Sequence, residues 1–448
     1  MTAAAAISGP SGLDADLHPR LTPMQAMVES SRCVYCYDAP CMHACPTEID
    51  IPGFIRRIAD GNLRGAAVAI LSANIMGGSC ARVCPTEVLC ESACVRLTGE
   101  QRPVAIGRLQ RYATDALMEG GGRHPFGRAA RSGRKVAVVG AGPAGLACAH
   151  RLATLGHDVA VFEAKEKPGG LNEYGIAAYK MADGFAAREA AFILDVGGIA
   201  VKYGQALGGR LKLTALREKY DAVFLAVGLG GAKALGVEGE DLKGVADALG
   251  FIESLRQAPS RRARPKVGRR VVVVGGGNTA VDAAVQARLL GAEEVVMAYR
   301  RGFAQMGATA YEQELAKSAG VTVRPWLAPV RIEGERGKVA RVVFERTRLE
   351  GERLAGTGET LALPADMVLT AVGQTLRADA LDGLRLRNGR VAIDKNYRTS
   401  LEGVFAGGDC VASGQDLTVQ AVQDGKLAAQ AIDAHLRKSA ARAAAKRK

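Results

Sequence analysis

Long apolar runs are missing from this 448-residue sequence. None approaches the ~18–20 residues a membrane span needs, so no transmembrane helix is expected. The N-terminus, MTAAAAISGPSGLDADLHPR, has no basic stretch followed by an apolar core and does not read as a secretory signal. Aromatic residues make up only 5% of the chain, and no stacking pattern accompanies its two basic runs. Arg261, Arg262, Arg264, Lys266, Arg269 and Arg270 form the first run; Arg437, Lys438, Arg442, Lys446, Arg447 and Lys448 form the second. Those twelve residues account for nearly all of the +13 net charge, and they read as a solvated linker and a tail rather than a nucleic-acid surface. Cysteine is almost absent outside residues 33–94, where only Cys148 and Cys410 of the ten occur, which excludes a uniform disulfide framework. A cytoplasmic protein is expected, with neither membrane nor nucleic acid as partner; thiols stay reduced there and clustered cysteines favour metal.

What is present begins with that cysteine block. The runs are Cys33-x2-Cys36-x4-Cys41-x3-Cys45-Pro46 and Cys80-x3-Cys84-Pro85-x4-Cys90-x3-Cys94. Eight soft ligands in a reduced compartment suit two 4Fe-4S clusters. In bacterial two-cluster ferredoxins the Cys before Pro ligates the other cluster, a role open to Cys45. Zinc competes, since C-x2-C is also a zinc knuckle, but no second C-x2-C or C/H pair completes such a site.

Beyond it, 48% hydrophobic and 23% charged residues describe an ordinary globular chain, of roughly two to four domains at this length. Residues 120–134 read as a linker. Then strand, glycine turn and helix follow one another twice, from about 135 and about 270, predicting two parallel α/β nucleotide-binding domains. Residues 338–370 alternate apolar and polar side chains and predict antiparallel strands.

Gly140-Ala141-Gly142-Pro143-Ala144-Gly145 fits G-x-G-x-x-G after an apolar strand. The first glycine makes the turn, the second admits a pyrophosphate, and the third lets helix pack on strand. The helix N-terminus then offers amide donors to phosphate. Glu163 closes the second strand, where a carboxylate binds ribose hydroxyls. Gly170 and Leu171, in the Pro168-Gly169-Gly170-Leu171 turn, follow as in two-dinucleotide flavoproteins. The Gly403–Asp409 segment, with Gly408 and Asp409 at its end, resembles the stretch whose Asp binds the FAD ribityl chain. A helix opening near Thr418 would aim its N-terminal dipole at the flavin. FAD is therefore expected at this site.

The second loop, Gly275-Gly276-Gly277-Asn278-Thr279-Ala280, carries Ala at the third glycine position, which the motif allows. Gly275, Gly277, Asn278 and Thr279 are its candidate nucleotide contacts. No acid ends its second strand; Arg300 and Arg301 stand there instead. Guanidinium groups suit a 2′-phosphate, so the residues lean to NADPH, with NADH an alternative.

Together the cysteine block, GAGPAGL, GGGNTAVDAA and AGGD resemble the electron-input module shared by dihydropyrimidine dehydrogenase and the glutamate synthase small subunit, from about residue 25 to 435. Two strings favour the pyrimidine enzyme. Val104-Ala105-Ile106-Gly107-Arg108-Leu109-Gln110 resembles the segment in which that family uses a glutamine as cluster ligand. Tyr299-Arg300-Arg301-Gly302-Phe303 and Trp326-Leu327-Ala328-Pro329 resemble its NADPH domain. The resemblance implies that Cys45, Cys84, Cys90 and Cys94 bind one cluster and Cys33, Cys36, Cys41 and Gln110 the other, leaving Cys80 out. An amide oxygen is a harder donor than thiolate and alters a cluster's potential.

The implied fold class is an α/β two-dinucleotide-binding flavoprotein with an N-terminal helical iron–sulfur domain. The implied domains are 1–118 (two clusters), 135–262 and 373–437 (FAD), 268–372 (NAD(P)H) and 438–448 (basic tail). The large eukaryotic enzyme continues into an FMN barrel, whereas this sequence stops at Lys448. The expectation is thus the small subunit of the bacterial two-subunit enzyme, in a hetero-oligomer with an FMN/iron–sulfur partner that reduces uracil or thymine. No residue here is expected to protonate uracil, and no side chain is assigned a catalytic role, since FAD carries the hydride transfer. A glutamate synthase small subunit is the nearest rival, and a flavin-based transhydrogenase subunit another relative. Disulfide reductase chemistry is disfavoured: neither nucleotide domain has a C-x-x-C, and Cys148 and Cys410 read as small core residues. A regulatory protein with degenerate nucleotide folds is disfavoured by the intact glycines.

Overall fold

A computed structural model describes residues 9–445. They form two compact units. Residues 9–17, Tyr174–Asp183 and Gly231–Thr375 make the smaller, and His18–Glu173, Gly184–Gly230 and 376–445 the larger.

The larger unit opens with α1 (Pro23–Ser31), α2 (Pro40–His43), α3 (Ile51–Ala59), α4 (Leu63–Ala73), α5 (Gly77–Val83), α6 (Val95–Glu100) and α7 (Ile106–Glu119). Their starts are written locally: Thr22 and Gln25 form a reciprocal cap on α1, and Asp50 and Asn62 accept from the amides of Gly53 and Gly65. Apolar side chains at helical spacing (Phe54, Ile55 and Ile58; Ala66, Ala67 and Ile70; Ile106, Leu109 and Ala113) close into one core that also takes in Cys45 and Cys80. Among the described residues no single helix is long and apolar enough to cross a membrane.

Next come β1 (Lys135–Val139), α8 (Pro143–Thr154), β2 (Asp158–Phe162), α9 (Leu171–Tyr174), α10 (Phe185–Leu194), β3 (Ile199–Lys202), α11 (Leu213–Lys219) and β4 (Ala222–Leu225). The smaller unit contributes β5 (Gly231–Ala232), β6 (Val245–Asp247), α12 (Ala248–Arg256), β7 (Arg270–Gly275), α13 (Asn278–Leu289), β8 (Glu294–Ala298), α14 (Ala310–Ser318), β9 (Thr322–Arg324), β10 (Leu327–Glu335), β11 (Lys338–Glu350), β12 (Arg353–Pro364), β13 (Met367–Ala371) and β14 (Gln374–Thr375). The chain returns through β15 (Leu386–Arg387), β16 (Arg390–Val391), β17 (Val404–Ala406) and α15 (Thr418–Ala445).

The larger unit's sheet runs β17-β4-β1-β2-β3 and the smaller unit's β6-β13-β7-β8-β9, every pairing parallel. In each the strand order reverses at the strand before a glycine loop, β1 or β7, and ligands bind outside the carboxyl ends at such a point. Strands β10, β11 and β12 form the antiparallel sheet that the alternating pattern predicts.

Three expectations change. The boundary expected at 262–268 falls instead after Gly230, because β6 joins the smaller unit's sheet and α12 packs on α13. The basic run there resembles a linker only in composition: Arg261 and Arg264 pair with Asp14, Arg269 with Glu293, and Arg270 with Asp366. Residues 120–134 have no regular structure, yet they are anchored. Arg128 bonds His157 O at 2.9 Å and Asp158 at 3.0 Å, and His124 and Phe126 stack in a ring cluster with His150 and Phe192.

Candidate functional site

The loop between β1 and α8 is pressed from both sides. Gly140 has φ +102°, and a Cβ there would lie 2.3 Å from Ala226 O; a Cβ on Gly145 would lie 1.9 Å from Gly140 O. Gly142 caps α8 and Pro143 begins it, with Ala144 next, and no side chain caps this helix N-terminus. Glu163, buried at the end of β2, accepts from Ala141 N at 2.7 Å and Lys165 N at 2.8 Å. Gly169 N reaches back to Ala141 O at 2.8 Å, bringing Gly170 and Leu171 to the loop. Asn172 accepts from Thr418 Oγ1 at 3.0 Å, which pins the start of α15 beside this turn. Gly408 N donates to Asp424 Oδ2 at 2.9 Å, and Tyr397 and Gln420 hold the other carboxylate oxygen. Burial, with help from Asp416 and Asp424 and against Arg390, pushes Asp409 up to about 6. This glycine cradle, flanked by Glu163, Asp409 and a helix N-terminus, fits a flavin dinucleotide. Asn172, Asp424 and Tyr397 had no motif to announce them.

In the smaller unit, Gly275 ends β7, Gly277 caps α13, and Asn278 and Thr279 begin it. Asn278 Oδ1 is buried without a hydrogen-bond partner, as expected of a group that awaits a ligand. Tyr299 lies over Gly276, and its hydroxyl bonds Gln305 O at 2.6 Å. Arg300 is exposed and Arg301 half-buried; the backbones of both are fixed, Arg300 O by Thr347 and Arg301 O by Trp326 N. No ion pair engages either guanidinium among the described residues. The donor set fits a nicotinamide dinucleotide. Behind α13, Lys180 bridges Asp282 at 2.7 Å and Glu312 at 2.6 Å, while Ala177 N and Tyr179 also donate to Asp282. Burial works against the Lys180 charge, but the two carboxylates more than offset it and raise its pKa.

The cysteines divide into two groups. Cys33, Cys36, Cys41 and Cys94 line one hollow with Pro40, Ile55, Val104 and Ile106. Burial, reinforced by Cys33 and Cys94, pushes the Cys41 thiol up to about 12. Val104 N points at Cys94 Sγ at 3.5 Å. In the second group the Cys84 thiol neighbours Cys80, Cys90 and Cys45, which together with burial push it well up. Gln110 is buried on α7, its Nε2 bonded to Gly77 O at 2.7 Å, at the start of the helix that carries Cys80. The grouping implied by the resemblance is corrected accordingly: Cys94 sits with Cys33, Cys36 and Cys41, and Gln110 lies against α5. Among the described residues no three His, Cys, Asp or Glu side chains converge as a single metal ion requires. Thiol-only donors spread around a hollow fit a multi-iron cluster instead. Cys148 and Cys410 are fully buried core residues.

Paired nucleotide folds with a cysteine-lined helical module define a pyridine-nucleotide flavoprotein with an iron–sulfur domain. Residues 134–425 match the family described as pyridine nucleotide-disulphide oxidoreductase, and residues 14–121 match dihydropyrimidine dehydrogenase domain II, 4Fe-4S cluster. The chain is 35% identical to the NAD-dependent dihydropyrimidine dehydrogenase subunit PreT of Salmonella typhimurium, over 94% of this chain and 97% of that one. It is also 35% identical to the glutamate synthase (NADPH) small chain of Escherichia coli, over 91% of each. Mycobacterium tuberculosis FprA in complex with NADPH shares the fold, with TM-score 0.58 and 22% identity over 69% of this chain and 86% of that one. The chain belongs to the pyridine nucleotide-disulphide oxidoreductase family. It is an NAD(P)H-dependent oxidoreductase with FAD and an N-terminal iron–sulfur domain.

Proposed function

We propose that this chain is the electron-input subunit of a dihydropyrimidine dehydrogenase, working in the cytoplasm in a hetero-oligomer with an FMN/iron–sulfur subunit that reduces uracil or thymine. The observation that carries the reading is the division of the cysteines into two groups, beside two nucleotide folds. The nicotinamide supplies a hydride, the flavin accepts two electrons and yields them singly, and iron–sulfur clusters carry one each.

This chain's residues hold and orient those groups. Glu163 takes ribose hydroxyls, the amides at the α8 N-terminus take pyrophosphate, Asp409 takes the ribityl chain, and the α15 N-terminus at Thr418 places positive potential by the flavin. Asn278 and Thr279 receive the nicotinamide nucleotide, and the unpaired Arg300 and Arg301 favour NADPH. Cys33, Cys36, Cys41 and Cys94 hold one 4Fe-4S cluster. Cys45, Cys84 and Cys90 hold the other, with Gln110 as fourth ligand in keeping with the pyrimidine-enzyme resemblance.

The thiol contact between Cys80 and Cys84 favours a second reading, a full eight-cysteine set feeding a glutamate-synthase-type partner. Co-purification from the native cell decides between them: an FMN pyrimidine reductase supports the first, a glutamate synthase large subunit the second. Alone, the chain should oxidise NAD(P)H with artificial acceptors and leave uracil untouched. Uracil reduction by the isolated chain would overturn the division of labour.

A further inference from the structure

Lys426 stands eight residues into α15, about 12 Å of helical rise beyond Thr418 at the flavin turn. Its Nζ donates to two main-chain carbonyls of the cysteine-rich module, Ala73 O at 2.9 Å and Thr47 O at 3.2 Å. Ala73 is the last residue of α4, so the cation also meets the negative end of that helix. Thr47 follows Cys45-Pro46 directly, and its hydroxyl lies 3.3 Å from Cys45 Sγ.

The charges facing Lys426 are Glu48, Cys45 and Arg151. None is ion-paired with it among the described residues, so a partly buried ammonium rests on neutral carbonyls, with Glu48 the one carboxylate facing it from beyond ion-pair distance. Burial outweighs that carboxylate, and a further negative charge nearby would offset the cost. A 4Fe-4S cluster bound through deprotonated thiols is negative, and Cys45 belongs to one of the two groups.

The residues before Lys426 fix its position. Asp424 grips Gly408 in the flavin loop. A Cβ on Gly425 would lie 2.1 Å from Ala144 O, so α15 and α8 touch only because a glycine stands there. Three consecutive residues therefore contact the flavin loop, the pyrophosphate helix and the Cys45 loop.

We propose that Lys426 is a positioning residue that fixes the Cys45 cluster relative to the flavin site and supplies the positive charge that raises that cluster's potential. The inference rests on the reading of Cys45 as a cluster ligand. A nearby cation favours the reduced, more negative cluster over the oxidised one.

The test uses the full-length protein purified anaerobically, with K426R, K426Q and K426M compared. Iron and flavin contents are measured, both clusters are titrated by EPR, and reduction by NADPH is followed by stopped flow. In K426M, one cluster's midpoint should move to more negative potential while the other stays, and its reduction should slow about tenfold with flavin reduction unchanged. K426R should restore both. K426Q, which keeps donors for the two carbonyls, should keep its iron and show the negative shift. Unaltered midpoints in iron-replete K426Q or K426M would overturn the inference alone. Iron-free wild-type protein would instead overturn the cluster reading, and this inference with it.

Discussion

Glu163 Oε2 accepts a 2.7 Å hydrogen bond from the amide of Ala141, between the first two glycines of the nucleotide loop and 22 residues upstream. Its other oxygen takes the Lys165 amide at 2.8 Å, so the acid shapes the loop before any ribose arrives. Glu163→Gln turns one of these acceptors into a donor facing an N–H. An unsatisfied buried group costs about 1–3 kcal/mol. FAD affinity, measured by fluorescence titration of the apoprotein, should fall roughly 5- to 150-fold. An unchanged affinity would remove Glu163 from the site.

Arg300 and Arg301 are held by their backbones, and among the described residues no carboxylate is ion-paired with them. Replacing both by Ala should raise KM for NADPH about tenfold or more, the scale of a charge-assisted hydrogen bond, and change KM for NADH little. Steady-state kinetics with an artificial acceptor measures both. Equal losses for the two cofactors would show that these arginines do not read a 2′-phosphate.

The regrouping of Cys94 has a spectroscopic consequence. Cys94→Ser should perturb the same EPR signal as Cys41→Ser, and Cys84→Ser the other one. If Cys94→Ser and Cys84→Ser disturb one common signal, the hollow lined by Cys33, Cys36, Cys41 and Cys94 is not a cluster site.

His150 sets a pH dependence. Burial, aided by His124 and Arg151, pushes it from 6.5 down to about 3, and its Nε2 has no partner. The folded protein keeps the ring neutral while the unfolded chain takes up a proton below 6.5. Stability from this group is therefore present above about pH 6.5 and lost as pH falls toward 3, by about 2 kcal/mol at pH 5. Glu189, pushed up to about 7 chiefly by burial, runs the other way: its contribution is present below 4.5 and lost as pH rises through about 7. Comparing H150F with wild type cancels Glu189. Thermal midpoints at pH 7.5 and 5 should fall less for H150F, and parallel falls would show that His150 does not titrate between these states.

Lys180→Met strands two carboxylates, Asp282 and Glu312, in a buried place. Breaking such a cluster from one side costs about 3–5 kcal/mol. A markedly lowered thermal midpoint is expected, restored in part by Lys180→Arg. A midpoint equal to wild type would mean that water already reaches the pair.

The two glycine loops and Glu163 were legible because each depends on a strand, a turn and a helix adjacent in sequence. The cysteine block announced metal by count and spacing. Its division did not follow from spacing, since Cys94 reaches Cys33 only when the chain carrying Val104 and Ile106 closes on the same hollow. The boundary at Gly230 was hidden because β6 finds its neighbour β13 more than a hundred residues later. Lys180 and Lys426 likewise have partners more than a hundred residues away. The one local hint was Gly425, a poor helix former inside a helix.

The interleaving of the two units also orders their birth. The segment Tyr174–Asp183 leaves the ribosome well before Gly231–Thr375, the bulk of the smaller unit it belongs to. Lys180 precedes Asp282, the first of its two carboxylate partners, by 102 residues, which at typical translation speeds is roughly 5–20 s without a counter-charge. The larger unit waits longer still, because β17 and α15, which complete its sheet and its core, follow β4 only after the whole Gly231–Thr375 segment. The nascent flavin fold therefore stays open-edged until that segment has been made and α15 has emerged behind it.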